Sequence, residues 1–373
     1  MIGTIGFLFE KAEENCIGGE LMRISLAMIV KDEELTLNSC LESVKDMVDE
    51  IVIVDTGSID STMEIAKSYG AKIYNFQWCD DFAKARNYAA EKCTGNWILV
   101  LDADEVIVSG SRSDLEKFIC ENPKAIGRIE ISSKFMDDDE VSLSKEYVSR
   151  FYPKGIHYEG CIHEQLFSDL PRLNMEIKVD HSGYFEKDKS VRNLKLLYKE
   201  LEYNSKDPYV LYQIARTLHV AKRFDEASEY FERCFKCSSE IYTYTSSLVN
   251  LFIYNSIQTK DFEKGLKVID EYNKLLENNV DYNFACGVFY MNFILNNLEC
   301  FDKYFYLIEK CYLRCLKIGD KNNEGVKGLG SFKAAYNLGV FYETIGDLNA
   351  ARDYYKLSAK FNYEKAKERL KYL

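Results

Sequence analysis

The spacing of apolar residues changes once along the chain, near residue 186, and this change limits the fold more than any other feature. Up to that point, short runs rich in β-branched residues alternate with stretches of helical spacing, whereas beyond it only helical spacing is found. The 373 residues are enough for two domains. We therefore predict a leader over residues 1–22, an α/β domain over 23–186 and an all-α domain over 187–373.

The first half of the chain has the pattern of a parallel sheet. Four apolar runs are predicted strands: Ile24–Val30, Ile51–Val54, Ala71–Phe76 and Trp97–Leu101. Helical stretches separate them, one with a capping-box signature at Ser61 and Glu64 and one with a cap at Asp81. Such alternation indicates a mostly parallel sheet covered on both faces, which binds ligands at the carboxyl ends of its strands. Polar residues collect there in three segments: Lys31–Glu34, Asp55–Ser58 and Asp102–Glu105.

The second half repeats one spacing of large and small residues. One copy has Tyr212, Ala215, Leu218, Phe224, Ala227 and Phe231, and another has Tyr336, Gly339, Tyr342, Leu348, Ala351 and Tyr355. A looser copy has Ile253, Phe262, Gly265 and Ile269, and the unit at about 280–330 is degenerate. The small residues would let two helices approach closely. This half resembles tetratricopeptide repeats, which stack into a curved solenoid.

Composition excludes several classes of protein. A net charge of −12 argues against a nucleic-acid-binding protein, which needs a basic face. No apolar run approaches the roughly 20 residues of a membrane span, and the start lacks the basic flank of a signal peptide. The 12 cysteines then indicate a cytoplasmic protein with reduced thiols, and Cys234-x-x-Cys237 and Cys311-x-x-x-Cys315 are interpreted as packing residues.

The segment Asp102-Ala103-Asp104 carries the strongest chemical signal. It directly follows the fourth predicted strand, so its two carboxylates can converge on one cation. Carboxylate oxygens suit Mg²⁺ or Mn²⁺, and these ions commonly bridge to substrate phosphates. A metal held there would neutralise the charge that grows on a leaving diphosphate.

Four ordered segments together resemble the family 2 glycosyltransferases, which have the GT-A fold. The segments are Ser25–Glu34, Ile53–Thr62, Asp81–Asn87 and Asp102–Asp104. The resemblance implies a nucleotide-sugar donor, with a lean to UDP, and inversion at the anomeric carbon.

The resemblance also implies roles for single residues. Asp55 would contact the nucleobase, and Arg86 would lie near the nucleotide. Asp102, with Ala103 beside it, would lie near the ribose and the metal. Asp104 would bind the metal.

Three of the four histidines, His157, His163 and His181, fall within 25 residues just before the repeats. A strand ending at His181 could return to the sheet edge beside Asp104, where a neutral imidazole would complete an oxygen and nitrogen ligand set. Similar "HE" and "H-x-G-Y" motifs occur in related repeat-bearing enzymes. We therefore predict His181 as the third metal ligand, with Asp104 and Asp102.

Transfer to an acceptor also needs a base for the acceptor's proton. Glu164 is the first candidate, followed by Glu105 and Asp138. A carboxylate is a weak base for a sugar hydroxyl but is adequate for a thiol, whose pKa is far lower. The acidic run Asp137–Glu140 is interpreted as a solvated turn.

The order of the two domains resembles the peptide S-glycosyltransferases of the sublancin type, which modify bacteriocins and whose helical part supports dimerisation. This resemblance implies a Cys or Ser/Thr side chain of a peptide or protein as acceptor, and a homodimer formed through the repeats. Two alternatives remain open: a transferase that builds a cell-surface polysaccharide or glycolipid, and a repeat scaffold without catalysis. A nucleotidyltransferase is disfavoured because residues 24–34 lack a glycine-rich loop.

Overall fold

The chain folds into two compact units, residues 1–187 and 188–373. The structure, a computed structural model, describes residues 22–137, 140–181, 189–238, 241–320 and 324–373. The first unit is built on a mixed, mostly parallel sheet, and the second is helical. The predicted fold class is therefore confirmed. The predicted leader falls outside the described residues, apart from Met22.

The large sheet begins with the four predicted strands. They are β1 (Ile24–Val30), β2 (Glu50–Asp55), β3 (Lys72–Asn75) and β4 (Trp97–Val100), and they pair in parallel in the order β3–β2–β1–β4. The later strands are β5 (Glu105–Ser109), β6 (Ile126–Asp137), β7 (Glu140–Pro153), β8 (His157–Glu159), β9 (Gln165–Phe167) and β10 (Arg172–His181). The sheet continues as β4–β7–β6–β10–β5, while β8 and β9 form a separate hairpin.

Helices cover both faces of the sheet because successive strand residues point to opposite sides. The helices of this unit are α1 (Leu37–Val44), α2 (Thr62–Ser68), α3 (Phe82–Lys92) and α4 (Arg112–Glu121). Leu26 and Met28 belong to the core beneath α1, α2 and α4, whereas Ala27 belongs to the core beneath α3. This two-sided burial holds the carboxyl ends of β1, β2 and β4 at one edge.

One of the two predicted helix caps is confirmed. Asp81 caps α3, because its carboxylate accepts the N–H of Lys84 at 2.9 Å. The capping box predicted for Ser61 and Glu64 is wrong, since the Ser61 side chain makes no cap hydrogen bond. The backbone N–H of Ser61 donates to Glu34 at 3.1 Å. The loop after β1 has therefore taken the donor that Glu64 would need.

The second unit consists of packed helix pairs. Its helices are α5 (Ser190–Tyr203), α6 (Pro208–Val220), α7 (Phe224–Cys237), α8 (Thr245–Thr259), α9 (Phe262–Leu276), α10 (Val280–Asn296), α11 (Phe301–Ile318), α12 (Phe332–Thr344), α13 (Leu348–Ala359) and α14 (Glu364–Arg369). A 3₁₀ turn, Leu298–Cys300, precedes α11, and Gly325–Val326 forms the short β11. In the described part of the chain, every helix is too short or too polar to cross a membrane.

Small residues bring paired helices together as the repeat pattern predicts. A Cβ atom on Gly339 of α12 would lie 2.6 Å from the ring of Tyr355 on α13, closer than two carbon atoms can pack. Ala215, Ala227 and Ala351 are fully buried. The helices can therefore approach only where these positions carry little or no side chain.

A buried carboxylate ties the amino ends of the parallel strands. Glu50 begins β2, and its side chain accepts hydrogen bonds from the Ser25 hydroxyl, the Thr94 N–H and the Gly95 N–H at 3.1 Å. Lys72 of β3 lies 2.8 Å from it. Burial alone would raise the pKa of Glu50, but Lys72 and these donors outweigh it and lower the pKa from 4.5 to about 2.

Because its folded pKa is depressed, Glu50 stabilises the first unit above about pH 4.5, and this contribution is lost as the pH falls towards 2. We expect Glu50→Gln to lower the free energy of unfolding at pH 7 by about 2–3 kcal/mol, as for a hydrogen bond to a buried charge. Urea denaturation would be followed by tryptophan fluorescence, since Trp78 and Trp97 both lie in this unit.

The matched control is Glu116→Gln, which removes an exposed ion pair with Arg112 and should cost less than about 1 kcal/mol. Equal stability of the two variants at pH 7 would contradict the role of Glu50.

Candidate active site

Reciprocal hydrogen bonds join the loops after β1 and β2, and we call residues 32–34 and 58–62 the loop clasp. Asp32 donates its N–H to the Ser58 hydroxyl at 3.0 Å and accepts the Ile59 N–H at 2.9 Å. Its backbone is left-handed, with φ of 54°, a conformation that aspartate tolerates better than most residues. The two loops therefore form one braced surface at the carboxyl edge.

Asp55 lies at the base of the loop clasp. It is the last residue of β2 and is 8% exposed. Its Oδ1 accepts the N–H of Ser58 at 2.9 Å, which fixes the carboxylate relative to the clasp. The structure thus places Asp55 at the strand end where the sequence resemblance expects a nucleobase contact.

Asp102 lies between two arginines. Arg86 of α3 donates Nη2–H to its Oδ1 at 2.8 Å, and Arg150 of β7 donates Nη2–H to its Oδ2 at 2.7 Å. The same Nη2 of Arg150 lies 2.6 Å from Oε1 of Glu105. Arg86 also donates Nε–H to Glu164. We call these five residues the arginine cluster.

Charge pairing keeps Asp102 and the two arginines ionised. Burial raises the pKa of Asp102, but Arg150 and Arg86 outweigh burial and hold it well below its usual range. The two guanidiniums keep their charge for the same reason, because their carboxylate partners outweigh the cost of burial. Both oxygens of Asp102 are therefore already committed to cations.

Glu105 supports the Asp102 turn from below. Its Oε2 accepts the N–H of Asp102 at 2.8 Å, and its own N–H donates to the Asp102 carbonyl at 3.0 Å. Burial raises the pKa of Glu105 to about 7, with Arg150 opposing the rise. Glu105 is only 3% exposed, so it is a structural partner of the turn and a poor candidate for contact with an acceptor.

Sheet register brings Asp104 and His181 together. His181 ends β10 and pairs with Glu105 of β5 on one side and with Ser133 of β6 on the other. Its Nε2 lies 3.1 Å from Oδ2 of Asp104, and its Nδ1 lies 3.2 Å from the Ser133 hydroxyl. The hydrogen bond to Asp104 raises the pKa of His181, against the effect of burial.

Glu164 belongs to the arginine cluster through Arg86. The neighbouring Asn87 exchanges two hydrogen bonds with the backbone of Tyr158 in β8, at 2.7 and 2.9 Å. These bonds hold α3 against the β8–β9 hairpin. Glu164 lies between the two strands of that hairpin, directly before β9. The Nη1 of Arg86 is buried and has no acceptor among the described residues.

The other sequence candidates lie elsewhere or outside the described residues. His157 is exposed in β8, where it contacts Glu159 and Phe167, and His163 lies in the turn after that strand with a left-handed backbone. Ala103 is buried in the core, 4% exposed. Asp138 falls outside the described residues.

Arg150 and Ser133 are site residues that the sequence analysis missed. Arg150 stands directly before Phe151, which pairs with Leu99 of β4. A charged residue directly before Phe151 and Tyr152 was the available signal. Its partners could not be inferred, because they depend on the pairing of strands about 50 residues apart.

One oxygen donor, from Asp104, and one nitrogen donor, from His181, face each other at this edge. Within the described ranges, no group of three histidine, cysteine or acidic side chains is placed to hold a metal ion. Asp102, the predicted companion ligand, is turned towards the arginines. Among the described residues, a metal at this place would have Asp104 and His181 as ligands, and substrate or water could supply others.

Comparison with protein families assigns both units. Residues 25–166 match the family described as Glycosyl transferase family 2. Residues 208–239 and 332–365 match the Tetratricopeptide repeat. The second and third matches cover α6–α7 and α12–α13, the two segments whose spacing repeats most closely.

Curated relatives cover parts of the chain. A tetratricopeptide repeat-containing protein of Synechococcus elongatus is 46% identical over 110 residues, which are 30% of this chain and 27% of that protein. The SPbeta prophage-derived glycosyltransferase SunS of Bacillus subtilis is 28% identical over 222 residues, 56% of this chain and 52% of SunS. The chain thus spans between about a quarter and a half of these relatives.

Among solved structures, TarS of S. aureus aligns with 67% of this chain and 55% of its own, at 14% identity and a TM-score of 0.35. At that score the alignment supports no conclusion about the site. The assignment of the two units therefore rests on the family matches. The chain combines a family 2 glycosyltransferase domain with tetratricopeptide repeats.

Proposed function

We propose that this protein transfers a sugar from a nucleoside diphosphate sugar to an acceptor side chain, with a divalent metal ion bound at Asp104 and His181. The observation that carries the proposal is the 3.1 Å approach of these two side chains beside the arginine cluster. Both lie at the carboxyl edge of a family 2 glycosyltransferase domain, where parallel sheets bind ligands.

The donor would lie along the edge from the loop clasp to the arginine cluster. Asp55 would accept a hydrogen bond from the nucleobase, for which a uracil N–H is suitable. Arg86, held by Asp102 and Glu164, would direct its positive charge towards the diphosphate. Its buried Nη1, which has no acceptor among the described residues, supports a role for Arg86 in which a ligand or bound water completes its hydrogen bonds.

A divalent metal fits the donor set formed by Asp104 and His181. One carboxylate and one imidazole leave several coordination positions for phosphate oxygens and water. The imidazole favours Mn²⁺ over Mg²⁺, which prefers all-oxygen ligands. Ser133 would hold the other ring nitrogen and fix the tautomer of His181. When bound, the metal would neutralise charge on the diphosphate.

In the transfer step, the acceptor atom forms a bond to the anomeric carbon while the bond from that carbon to the diphosphate oxygen breaks. The nucleoside diphosphate leaves with the electron pair, and the acceptor's proton goes to a base. We propose Glu164 as that base, with Oε1 holding Arg86 and Oε2 receiving the proton. A carboxylate is a weak base for a sugar hydroxyl but is adequate for a thiol, so a thiol acceptor suits this site better.

A peptide or protein is our proposed acceptor. The similarity to SunS covers 56% of the chain, and helical repeats commonly present surfaces for extended polypeptides. S-glycosylation, which the sequence resemblance implies, agrees with a carboxylate as the base. Polysaccharide or glycolipid synthesis would use the same donor edge. Only the identity of the acceptor distinguishes it from peptide glycosylation.

The first experiment is calorimetric titration of the purified full chain with UDP-glucose, UDP-N-acetylglucosamine and GDP-mannose, each with and without Mn²⁺. We expect metal-dependent binding of a UDP-sugar. Failure of all three donors to bind would contradict the proposal and favour a repeat scaffold without catalysis.

Removal of the Asp104 carboxylate should abolish metal-dependent transfer. Donor hydrolysis or transfer by Asp104→Ala should fall by at least about 100-fold, since each tenfold corresponds to only about 1.4 kcal/mol of lost stabilisation. The thermal midpoint should change little because the residue lies at a strand end. Asp46→Ala, at an exposed site, is the control. Full activity of Asp104→Ala, or of wild type with a chelator, would rule out the metal.

Asp104 should also control the titration of His181 in metal-free protein. The raised pKa of His181 means that its protonated pair with Asp104 stabilises the fold below about pH 6.5, and this is lost as the pH rises through the folded pKa. We expect Asp104→Asn to lower the pKa of His181, measured by NMR of the imidazole nitrogens. His219, in the helical unit, is the internal control. An unchanged His181 titration would refute the contact.

Glu164→Gln tests the proposed base. We expect transfer to fall by about 100-fold or more, while donor affinity changes by less than about threefold because glutamine can still accept the Arg86 Nε–H. Glu159→Gln, an exposed change in the same hairpin, is the control. If Glu164→Gln loses donor affinity to the same degree as transfer, Glu164 belongs to the donor site and is not the base.

A further inference from the structure

We propose that Arg150 is a positioning residue of the transfer reaction: it orients Asp102, and through Asp102 it holds Arg86 in place for the donor. In this arrangement the first aspartate of the Asp102-Ala103-Asp104 segment acts as a bridge between two arginines and does not bind the metal. The functional part of this inference rests on the proposed function.

Arg150 binds the carboxylate oxygen of Asp102 that Arg86 does not bind. The Arg150 side chain is 10% exposed and donates from a single nitrogen, Nη2, to both Asp102 and Glu105. Sheet pairing fixes its backbone, because the next residue, Phe151, lies opposite Leu99 of β4. Arg150 therefore approaches the Asp102 turn from a rigid strand rather than from a loop.

Asp102 passes this constraint on to Arg86. Its Oδ2 faces Arg150 and its Oδ1 faces Arg86, so the carboxylate cannot turn without breaking one of the two ion pairs. Arg86 is also held by Glu164. The result is a continuous chain of charged contacts from β7 through the Asp102 turn to α3.

Loss of Arg150 would leave two carboxylates, Asp102 and Glu105, close together without their shared cation. Like charges that lie close together repel, so Asp102 would turn away from Glu105. That movement would alter the hydrogen bond that Asp102 accepts from Arg86. Arg150 would then affect donor binding without touching the donor.

A double-mutant cycle tests whether Arg150 acts through Asp102. UDP affinity in the presence of Mn²⁺ is measured by calorimetry for wild type, Arg150→Met, Asp102→Asn and the double variant. We expect each single change to weaken UDP binding by about tenfold or more, and the double variant to be little weaker than either one. If the fold-loss of UDP affinity in the double variant equals the product of the two single fold-losses, the proposal is overturned.

Arg112→Met is a control for the loss of an arginine that pairs with two carboxylates. Arg112 also lies between two carboxylates, Asp49 and Glu116, but Asp49 caps the amino end of β1 through the Ile24 N–H. We expect Arg112→Met to lower the thermal midpoint and leave UDP affinity unchanged. A fall in thermal midpoint with unchanged UDP affinity in Arg150→Met as well would make Arg150 merely structural.

Arg150→Lys keeps the proposal testable if Arg150→Met does not fold. Lysine supplies a point charge without the guanidinium fork, so we expect partial retention, with UDP affinity reduced about threefold to tenfold. Unchanged affinity in Arg150→Lys would show that only charge is needed and would overturn the positioning role.

A second readout separates this inference from the proposed function. The Nε–H of Arg86 bonds to Glu164 and should give a distinct NMR signal in the absence of any ligand. We expect Arg150→Lys to shift or broaden that signal and Arg112→Met to leave it unchanged. An unperturbed signal in Arg150→Lys refutes the inference. Absence of UDP binding by wild type refutes the proposed function alone.

Discussion

A single carboxylate with a guanidinium on each oxygen organises the candidate active site. Asp102 cannot be moved by itself, because Arg86 and Arg150 each hold one of its oxygens and Glu105 holds its backbone N–H. A partly buried charge of this kind is stabilised by pairing and hydrogen bonding. The fold meets this need from three separate elements: helix α3, strand β7 and the turn that leads from β4 to β5.

That commitment of Asp102 defines the roles left for its neighbours. Asp104, two residues later, contacts His181 because β10 pairs with β5. The edge of the sheet therefore divides into the arginine cluster, where two guanidiniums pair with three carboxylates, and a part with one carboxylate and one imidazole.

The sequence was a good guide wherever structure depends on local periodicity. The four parallel strands and the Asp81 cap follow from apolar runs and from one side chain bonding three residues ahead, and both were predicted. The long β6–β7 hairpin has a mixed polar sequence and was not predicted. The Asp104 and His181 pair was anticipated from chain order, whereas Arg150 was missed, because its position depends on register between β4 and β7. Ser61 was misjudged because Glu34, far away in sequence, captured its N–H.

The helical unit illustrates the same division between local and distant causes. The repeat spacing around Gly339 predicts its close approach to Tyr355, and both outer repeats match the family pattern. The helices α10 and α11 pair equally well without that spacing. There, a Cβ on Gly287 would lie 2.7 Å from the ring of Tyr312, so a glycine again marks the approach, but at a position that the repeat pattern does not include.

The loop clasp has a consequence for the kinetics and thermodynamics of ligand capture. Asp32 and Ser58 bond each other directly, and Asp55 accepts the N–H of Ser58. A nucleobase that docks there need not order a loosely hinged loop, so little conformational entropy is lost on association. Binding at this end of the edge should therefore need no loop rearrangement. Association should be fast and single-phase, and its specificity should be set by the shape of the loop clasp.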